Sequence, residues 1–508
     1  MDAFIQAGVF LSITAAIGLI TWLHCRRAPR SAHGAKEYFL AGSGLSWVFI
    51  AGSITLTNIS TDTLIGWNGN QMLLVVWWEL AGIAGLFLLG KIFIPVYYAH
   101  QCTTVTELLE RRYGSKHLRA TVAGLFLVGN LFIFLPAMLY TSSLFLKSML
   151  GLPPTFLGID SLLWLAAFIA VVGAAYAIFG GLRAVAVSDT YSGVLVFGLA
   201  FVLVFLALQA VGWDLSDLPP ERMTMIGDEQ SKLPWTTLLT GMIFSQIYYF
   251  STNQTITQRA LAAPSVREAR RGAYAAAVIR LLLVPPIVIV PGLCAYKLYG
   301  QLGDATYGHL VGQLLPHWLQ GAFAAAMVAA VMTSFNSVLN SSAALYVCDL
   351  HQRYVDPEPN IARLSVGLQV GFALMAIALV PLFRGTESII QLIQQLLGLF
   401  SMPILSAFIT GLLFRGVDGR AVIATIFFGA GLYGFFTFGW PALQAGEGSL
   451  LHDLFGETPP HFLHFMFVTV WSCVAFALAL NRLAFGRRAQ FVLGTAESRR
   501  EVRTMLRG

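Results

Sequence analysis

Two ionisable residues stand inside long apolar runs, where a charge is expensive to keep. Glu79 is flanked by Trp77, Trp78 and Leu80, and Arg280 sits in the middle of AAAVIRLLLVPP. At mid-bilayer depth such a side chain costs at least about 2.5–3.5 kcal/mol on insertion scales, so it is kept where it pairs or binds something. Two uses are open: Glu79 and Arg280 neutralise each other as a structural pair, or they hold the polar groups of a solute. Lys91 lies near enough to the end of its run for the ammonium to snorkel to the interface. A second pattern is the hydroxyl pair Thr333 and Ser334 in AAVMTSFNS. Adjacent hydroxyls on a long helix suit a hard cation such as Na+, which takes about five or six oxygen ligands. The alternative is that both bond back to carbonyls one turn earlier, as Ser and Thr often do in membrane helices.

Enzymatic patterns are missing. There is no HExxH, GxSxG or Walker-type loop, and His100, His309 and His317 fall at the ends of apolar runs. Cys25, Cys102, Cys294, Cys348 and Cys473 are far apart with no CxxC pair, which argues against a disulfide framework or a thiolate metal site.

The elements that must position these residues are membrane helices. With 57% hydrophobic and 11% charged residues and a mean hydropathy of +0.72, no soluble fold could hide the apolar surface. A bilayer crossing takes about 20 apolar residues, and about thirteen such runs are expected: 3–24, 45–69, 73–98, 120–150, 161–180, 188–211, 235–257, 271–298, 318–348, 363–383, 387–414, 420–440 and 462–483. A cleavable leader over 1–23 fits poorly, because its basic residues follow the apolar run. Alternate loops collect the positive charge, including Arg26, Arg27, Arg30, Arg111, Arg112, Arg119, Arg259, Arg267, Arg353, Arg415 and the tail from Arg482. The opposite loops hold Asp214, Asp217, Glu221, Asp228 and Glu229. The positive-inside rule then places the amino terminus outside and the carboxyl terminus in the cytoplasm of a cell membrane. The net charge of +6 is thereby accounted for by lipid topology, with no nucleic-acid partner implied.

Two of these helices should be broken. Residues 45–69 carry a polar stretch, Thr55–Thr63, at mid-membrane depth, and 235–257 are polar in the middle of TGMIFSQIYYFSTNQTITQ. Unwound polar backbone is tolerated there only where it lines a cavity or is buried in protein. Their spacing fits two inverted five-helix repeats with binding sites near the midplane. The expected organisation is a leading helix and loop (1–44), a first repeat (45–211), an external loop (212–234), a second repeat (235–414), two trailing helices (415–484) and a basic tail (485–508).

Five stretches carry a resemblance: KEYFLAGSGLSWVFIAGSITLTNIST at 36–61, GGLRAVAVSD at 180–189, YYFSTNQTITQRALAAPSVREARRG at 248–272, NSVLNSSAALYVCDLHQRY at 336–354 and GLLFRGVDGRAV at 411–422. Through them the chain resembles the sodium:solute symporter family, most similarly its sodium/sugar branch, over about residues 36–425. The resemblance implies an all-α, leucine-transporter-like inverted repeat and symport of a small solute with sodium. It implies a sodium site from the backbone oxygens of Leu56, Ile59 and Ala330 with the hydroxyls of Thr333 and Ser334. A second sodium site, present in some relatives, would use Asp189, Asn336 and Ser337. Asn336 is an amide where two-sodium relatives have a hydroxyl, and Asp189 has an alternative use as an ion-pair partner of Arg183.

For the solute, Glu79 and Arg280 match a glutamate and a lysine that hydrogen-bond sugar hydroxyls in that branch. Asn58, Gln246 and Gln394 fall on further sugar-contacting positions, and Tyr249 on the aromatic that stacks on the pyranose and closes the inner side. Three departures bear on the solute. Arg280 replaces lysine, Gln246 replaces asparagine, and Thr63 stands where sugar carriers have glutamine or histidine. A guanidinium is a planar fork suited to carboxylates. A sugar or polyol and a carboxylated solute (sialic-acid-like or another organic acid) therefore both remain open, against the rival classes of channel and membrane-bound solute sensor.

Overall fold

The computed structural model describes residues 2–26, 39–59, 61–156, 158–228, 231–384, 388–440 and 460–492. The basic segment 27–38, Glu229 and the tail beyond 492, which the charge argument used, lie outside the described residues.

Nine described helices are long and apolar enough to cross a membrane: Leu73–Ala99, Lys116–Leu150, Leu182–Ala210, Val266–Tyr299, His317–Tyr354, Ile361–Phe383, Ile389–Leu413, Gly419–Gly439 and Phe462–Leu483. The pair Trp47–Asn58 and Asp62–Asn70, bent by 51°, makes a tenth. The other expected spans fall on the shorter apolar stretches Gly8–His24 and Ser161–Ala174 and on 238–261, where π-helical turns interrupt the α-helix.

Residues 161–180 and 188–211 fall on two helical stretches, Ser161–Ala174 and Leu182–Ala210, within a backbone assigned as helical from Ser161 to Ala210. The two stretches fold onto one neighbour. Gly173 lies against Met332 and Asn336, while Asp189 faces Thr333 on the same turn of the same neighbour. In a straight helix those two positions would stand about 24 Å apart.

That neighbour, His317–Tyr354, is the centre of the bundle, with every residue from Gln320 to Ala344 buried. Alanine and serine on all its sides let adjacent backbones approach closely and leave no face for lipid. An ionic cluster pins one end of it. Asp349 accepts from the Thr104 hydroxyl at 2.8 Å and pairs with Arg119 at 2.6 Å, and Arg119 also reaches Glu110 at 2.6 Å.

Here two charge assignments need correction. Arg119 and Arg259, counted among the loop residues by spacing, are 3% and 0% exposed. A buried charge costs several kcal/mol unless it is paired, and the tertiary structure supplies the partners that a linear charge count cannot show.

Both expected breaks are present. The first helix ends at Asn58. Ile59 leaves helical geometry at φ −92°, ψ 67°, while its N–H still donates to the Thr55 carbonyl at 2.9 Å. Thr, Asn and Ser side chains compete for backbone groups, which is why this run does not hold a continuous helix. In the second element Tyr248–Thr252 forms a π-helical turn and Asn253 is extended at φ −78°, ψ 129°. The Asn253 side chain accepts from the Thr255 N–H at 2.8 Å and so caps the helix Gln254–Leu261. Across the gap Tyr249 faces Asn58, so the two breaks meet.

Candidate functional site

Asn58, Thr63, Glu79, Gln246, Tyr249, Arg280 and Gln394 all line one cavity of about 630 Å³. The two halves of the first broken helix bring Asn58 and Thr63, and the second break brings Gln246 and Tyr249. Glu79 comes from Leu73–Ala99, Arg280 from Val266–Tyr299 and Gln394 from Ile389–Leu413. Residues separated by more than three hundred positions therefore share one wall, and only the fold could bring them there.

Glu79 and Arg280 do pair. Arg280 Nη2 lies 2.9 Å from Glu79 Oε2, and Arg280 Nε donates to the Glu79 backbone carbonyl at 3.2 Å. The guanidinium also sits 4.9 Å from the centre of the Phe250 ring. Gly82 makes room for this arrangement, since a Cβ there would lie 2.5 Å from Arg280 Nε. Both Glu79 carboxylate oxygens are buried, with Arg280 and the Trp67 side chain beside them and no hydrogen bond of good geometry to either. Such oxygens are costly to leave without donors, and they offer acceptor capacity toward whatever fills the cavity.

Asp62, Ser245 and Ser401 also line the cavity and were not singled out from the sequence, while Trp67, expected near the site, lines it too. Asp62 had a signal: it is an acidic residue inside the polar stretch Thr55–Thr63, at the depth where any ionisable group is informative. A second chamber of about 460 Å³ shares Trp67, Ile390 and Gln394 with the first. Trp67 stacks on Trp78 between them, with ring centroids 5.5 Å apart. His461, at the far rim of this chamber beside Lys232, has its imidazole pushed down to about 4 by burial and by the neighbouring His464, so it is neutral at physiological pH.

The residues of the implied sodium site converge from two helices. Ser334 Oγ lies 3.4 Å from the Leu56 carbonyl oxygen across the helix boundary. Thr333 Oγ1 donates back to the Ala330 carbonyl at 2.9 Å. Ile59, at the break, carries its carbonyl past the last helical turn. All of these are hard, uncharged oxygens, and a hydroxyl that donates one hydrogen bond keeps its lone pairs free for a cation. The set fits sodium.

At the second implied site the parts are less well gathered. Ser337 Oγ donates to the Thr333 carbonyl at 2.6 Å, one turn back. The Asn336 amide is buried with no hydrogen-bond partner for either atom. Asp189 accepts from the Ser53 hydroxyl, which in turn accepts from Arg259 Nε at 3.0 Å. The alternative Asp189–Arg183 pair is not among the described ion pairs: Arg183 Nη2 donates to the Ala41 carbonyl at 3.0 Å. Arg259, wholly buried, is the cation that acts on Asp189 instead.

Comparison with known proteins places this geometry. The chain is 32% identical over 448 residues to YidK, an uncharacterised symporter of Escherichia coli (strain K12), covering 84% of this chain and 77% of that one. It is 30% identical over 460 residues to a sodium/glucose cotransporter of Vibrio parahaemolyticus, covering 83% of each. Among solved structures, the substrate-bound outward-open state of a Na+-coupled sialic acid symporter superposes with a TM-score of 0.77 at 18% identity, over 95% of this chain and 98% of that one. That likeness establishes the fold, a leucine-transporter-like inverted repeat with two broken helices. The profile of the sodium:solute symporter family matches residues 38–429. This chain therefore belongs to the sodium:solute symporter family: it is a membrane carrier that moves a solute together with sodium, and not an enzyme.

Proposed function

We propose that this symporter imports a neutral sugar or polyol by alternating access, with the 630 Å³ cavity as its solute site. The observation that carries the solute class is charge. The guanidinium that lines the cavity, Arg280, is already paired with Glu79. A carboxylated solute would bring a further anion and would have to draw Arg280 away from Glu79, leaving a buried carboxylate uncompensated. Sugar hydroxyls, by contrast, donate to the Glu79 oxygens, accept from the Gln246 and Gln394 amides, and present a C–H face to Tyr249. The similarity to a sodium/glucose cotransporter supports the same reading.

Sodium is carried as co-substrate by the oxygens of Leu56, Ile59, Ala330, Thr333 and Ser334. Because Leu56 and Asn58 are two residues apart on one half-helix, an ion at the first stiffens the segment that presents the second to the solute. In the orientation set by loop charge, the amino terminus is outside and the carboxyl terminus cytoplasmic in the cell membrane, and repeats 45–211 and 235–414 rock against each other about the site.

The direct test is uptake into proteoliposomes under an inward sodium gradient, with neutral hexoses, polyols and carboxylated sugars as the panel. Neutral solutes are expected to be taken up, and uptake confined to carboxylated ones would overturn the reading. The mutant ranking is an independent check. Tyr249→Ala should lose a stacking contact worth about 0.5–1.5 kcal/mol beyond area burial, while Tyr249→Phe should keep most transport. Arg280→Lys retains the charge beside Glu79 and should cost less than Tyr249→Ala. For an acid the order would reverse, because the fork would then bind the solute.

A further inference from the structure

Helix Val266–Tyr299, which brings Arg280 to the cavity, contains Pro285, Pro286 and Pro291. Pro291 has no N–H, so the Ile287 carbonyl four residues earlier loses its helical donor. A residue of another helix supplies one. Asn68 Nδ2 donates to the Ile287 carbonyl at 3.1 Å and to the Leu64 carbonyl of its own half-helix at 2.8 Å. On the other side of the amide, Asn68 Oδ1 accepts from the Gly292 N–H at 2.8 Å. Asn68 is wholly buried, so each of these bonds replaces one that water cannot make. A separate contact marks the same spot: a Cβ on Gly292 would lie 2.5 Å from the Asn68 carbonyl oxygen, so the two backbones touch where the amide bridges them.

We propose that Asn68 is a positioning residue for the solute site, locking the half-helix Thr61–Asn70 onto the proline-opened turn of Val266–Tyr299. The half-helix carries Thr63 and Trp67 into the cavity, and the span carries Arg280 two turns from Ile287. The lock therefore holds two walls of the cavity at fixed spacing. Without it, a solute must order those walls as it binds, and affinity falls. The sodium oxygens Leu56 and Ile59 lie on the far side of the break, so sodium binding is spared. The proposal rests on the cavity being the solute site.

The test uses purified full-length protein, with D-glucose and myo-inositol as solute probes and ²²Na+ binding measured without solute. Asn68→Ala should weaken binding of the accepted probe roughly tenfold, the loss expected for interhelical hydrogen bonds to backbone, and leave half-saturating sodium within about twofold. Pro291→Ala restores the helix's own donor to Ile287. In that background Asn68→Ala should cost about threefold or less. Gly292→Ala, which pushes the half-helix away, should copy Asn68→Ala. Unchanged solute affinity in Asn68→Ala, equal losses with and without Pro291, or a parallel loss of sodium binding would each overturn the proposal. Should Asn68→Ala misfold, the Gly292→Ala and Pro291→Ala/Gly292→Ala pair still measures the split between solute and sodium. Failure of the cavity assignment looks different: Glu79→Gln would leave probe affinity untouched while the dependence on Pro291 persisted in the thermal unfolding of solute-free protein.

Discussion

Arg280→Gln is expected to abolish solute uptake and to lower the stability of the folded protein. The substitution leaves the Glu79 carboxylate buried at 0% exposure with the guanidinium that pairs with it gone. Breaking one side of a buried ion pair costs on the order of 3–5 kcal/mol, more than a hundredfold in any equilibrium the pair supports. Glu79→Gln keeps the shape but leaves the buried Arg280 guanidinium without its carboxylate, so it too should lower stability, and it removes the charge that would accept solute hydroxyls and should weaken solute binding roughly tenfold or more. The double variant Glu79→Gln/Arg280→Gln is the informative member of the series. It relieves the unpaired charge, so thermal stability should recover while solute affinity does not. Recovery of wild-type affinity in the double variant would mean that the pair is structural and that the solute sits elsewhere. Thermal unfolding and tryptophan quenching by solute, with Trp67 in the cavity wall, measure the two arms separately.

Ser334→Ala should raise half-saturating sodium by tenfold or more, with little loss of folded protein. Its hydroxyl is the side-chain oxygen that bridges to the first broken helix, 3.4 Å from the Leu56 carbonyl. An interaction of a hydroxyl with a charged partner is worth about 1.5–3 kcal/mol. Ser337→Ala is the matched control. That hydroxyl donates one turn back to the Thr333 carbonyl and is not in the oxygen set of the first site, so the sodium dependence should barely move. Sodium-dependent uptake at varied sodium concentration reads both. An unchanged half-saturation in Ser334→Ala, or uptake that persists when choline replaces sodium, would overturn the site. A large effect of Ser337→Ala would instead place a second sodium at Asp189, Asn336 and Ser337.

The sequence by itself determined the membrane class, the broken helices and the residue types that line the candidate site. Those properties follow from local composition: apolar runs of bilayer length, polar stretches where a helix cannot hold, and charges too costly to sit in lipid without purpose. Glu79 and Arg280 were legible for that reason, since the penalty for an intramembrane charge does not depend on knowing its neighbours. The hydroxyls of Thr333 and Ser334 were legible as a pattern but not as a geometry. Only the fold separates them, turning Thr333 back on Ala330 and Ser334 across to Leu56.

Other assignments needed three dimensions from the start. Arg119 and Arg259 look like loop cations because a one-dimensional charge count cannot see Asp349 or Ser53 folding onto them. Asp62 was hidden by its own context, a polar run already explained as a break. The Asn68 lock had no sequence signature at all. An asparagine in one helix and a proline more than two hundred residues later share a hydrogen bond because the fold sets an unpaired carbonyl opposite a buried amide, and burial makes that pairing obligatory.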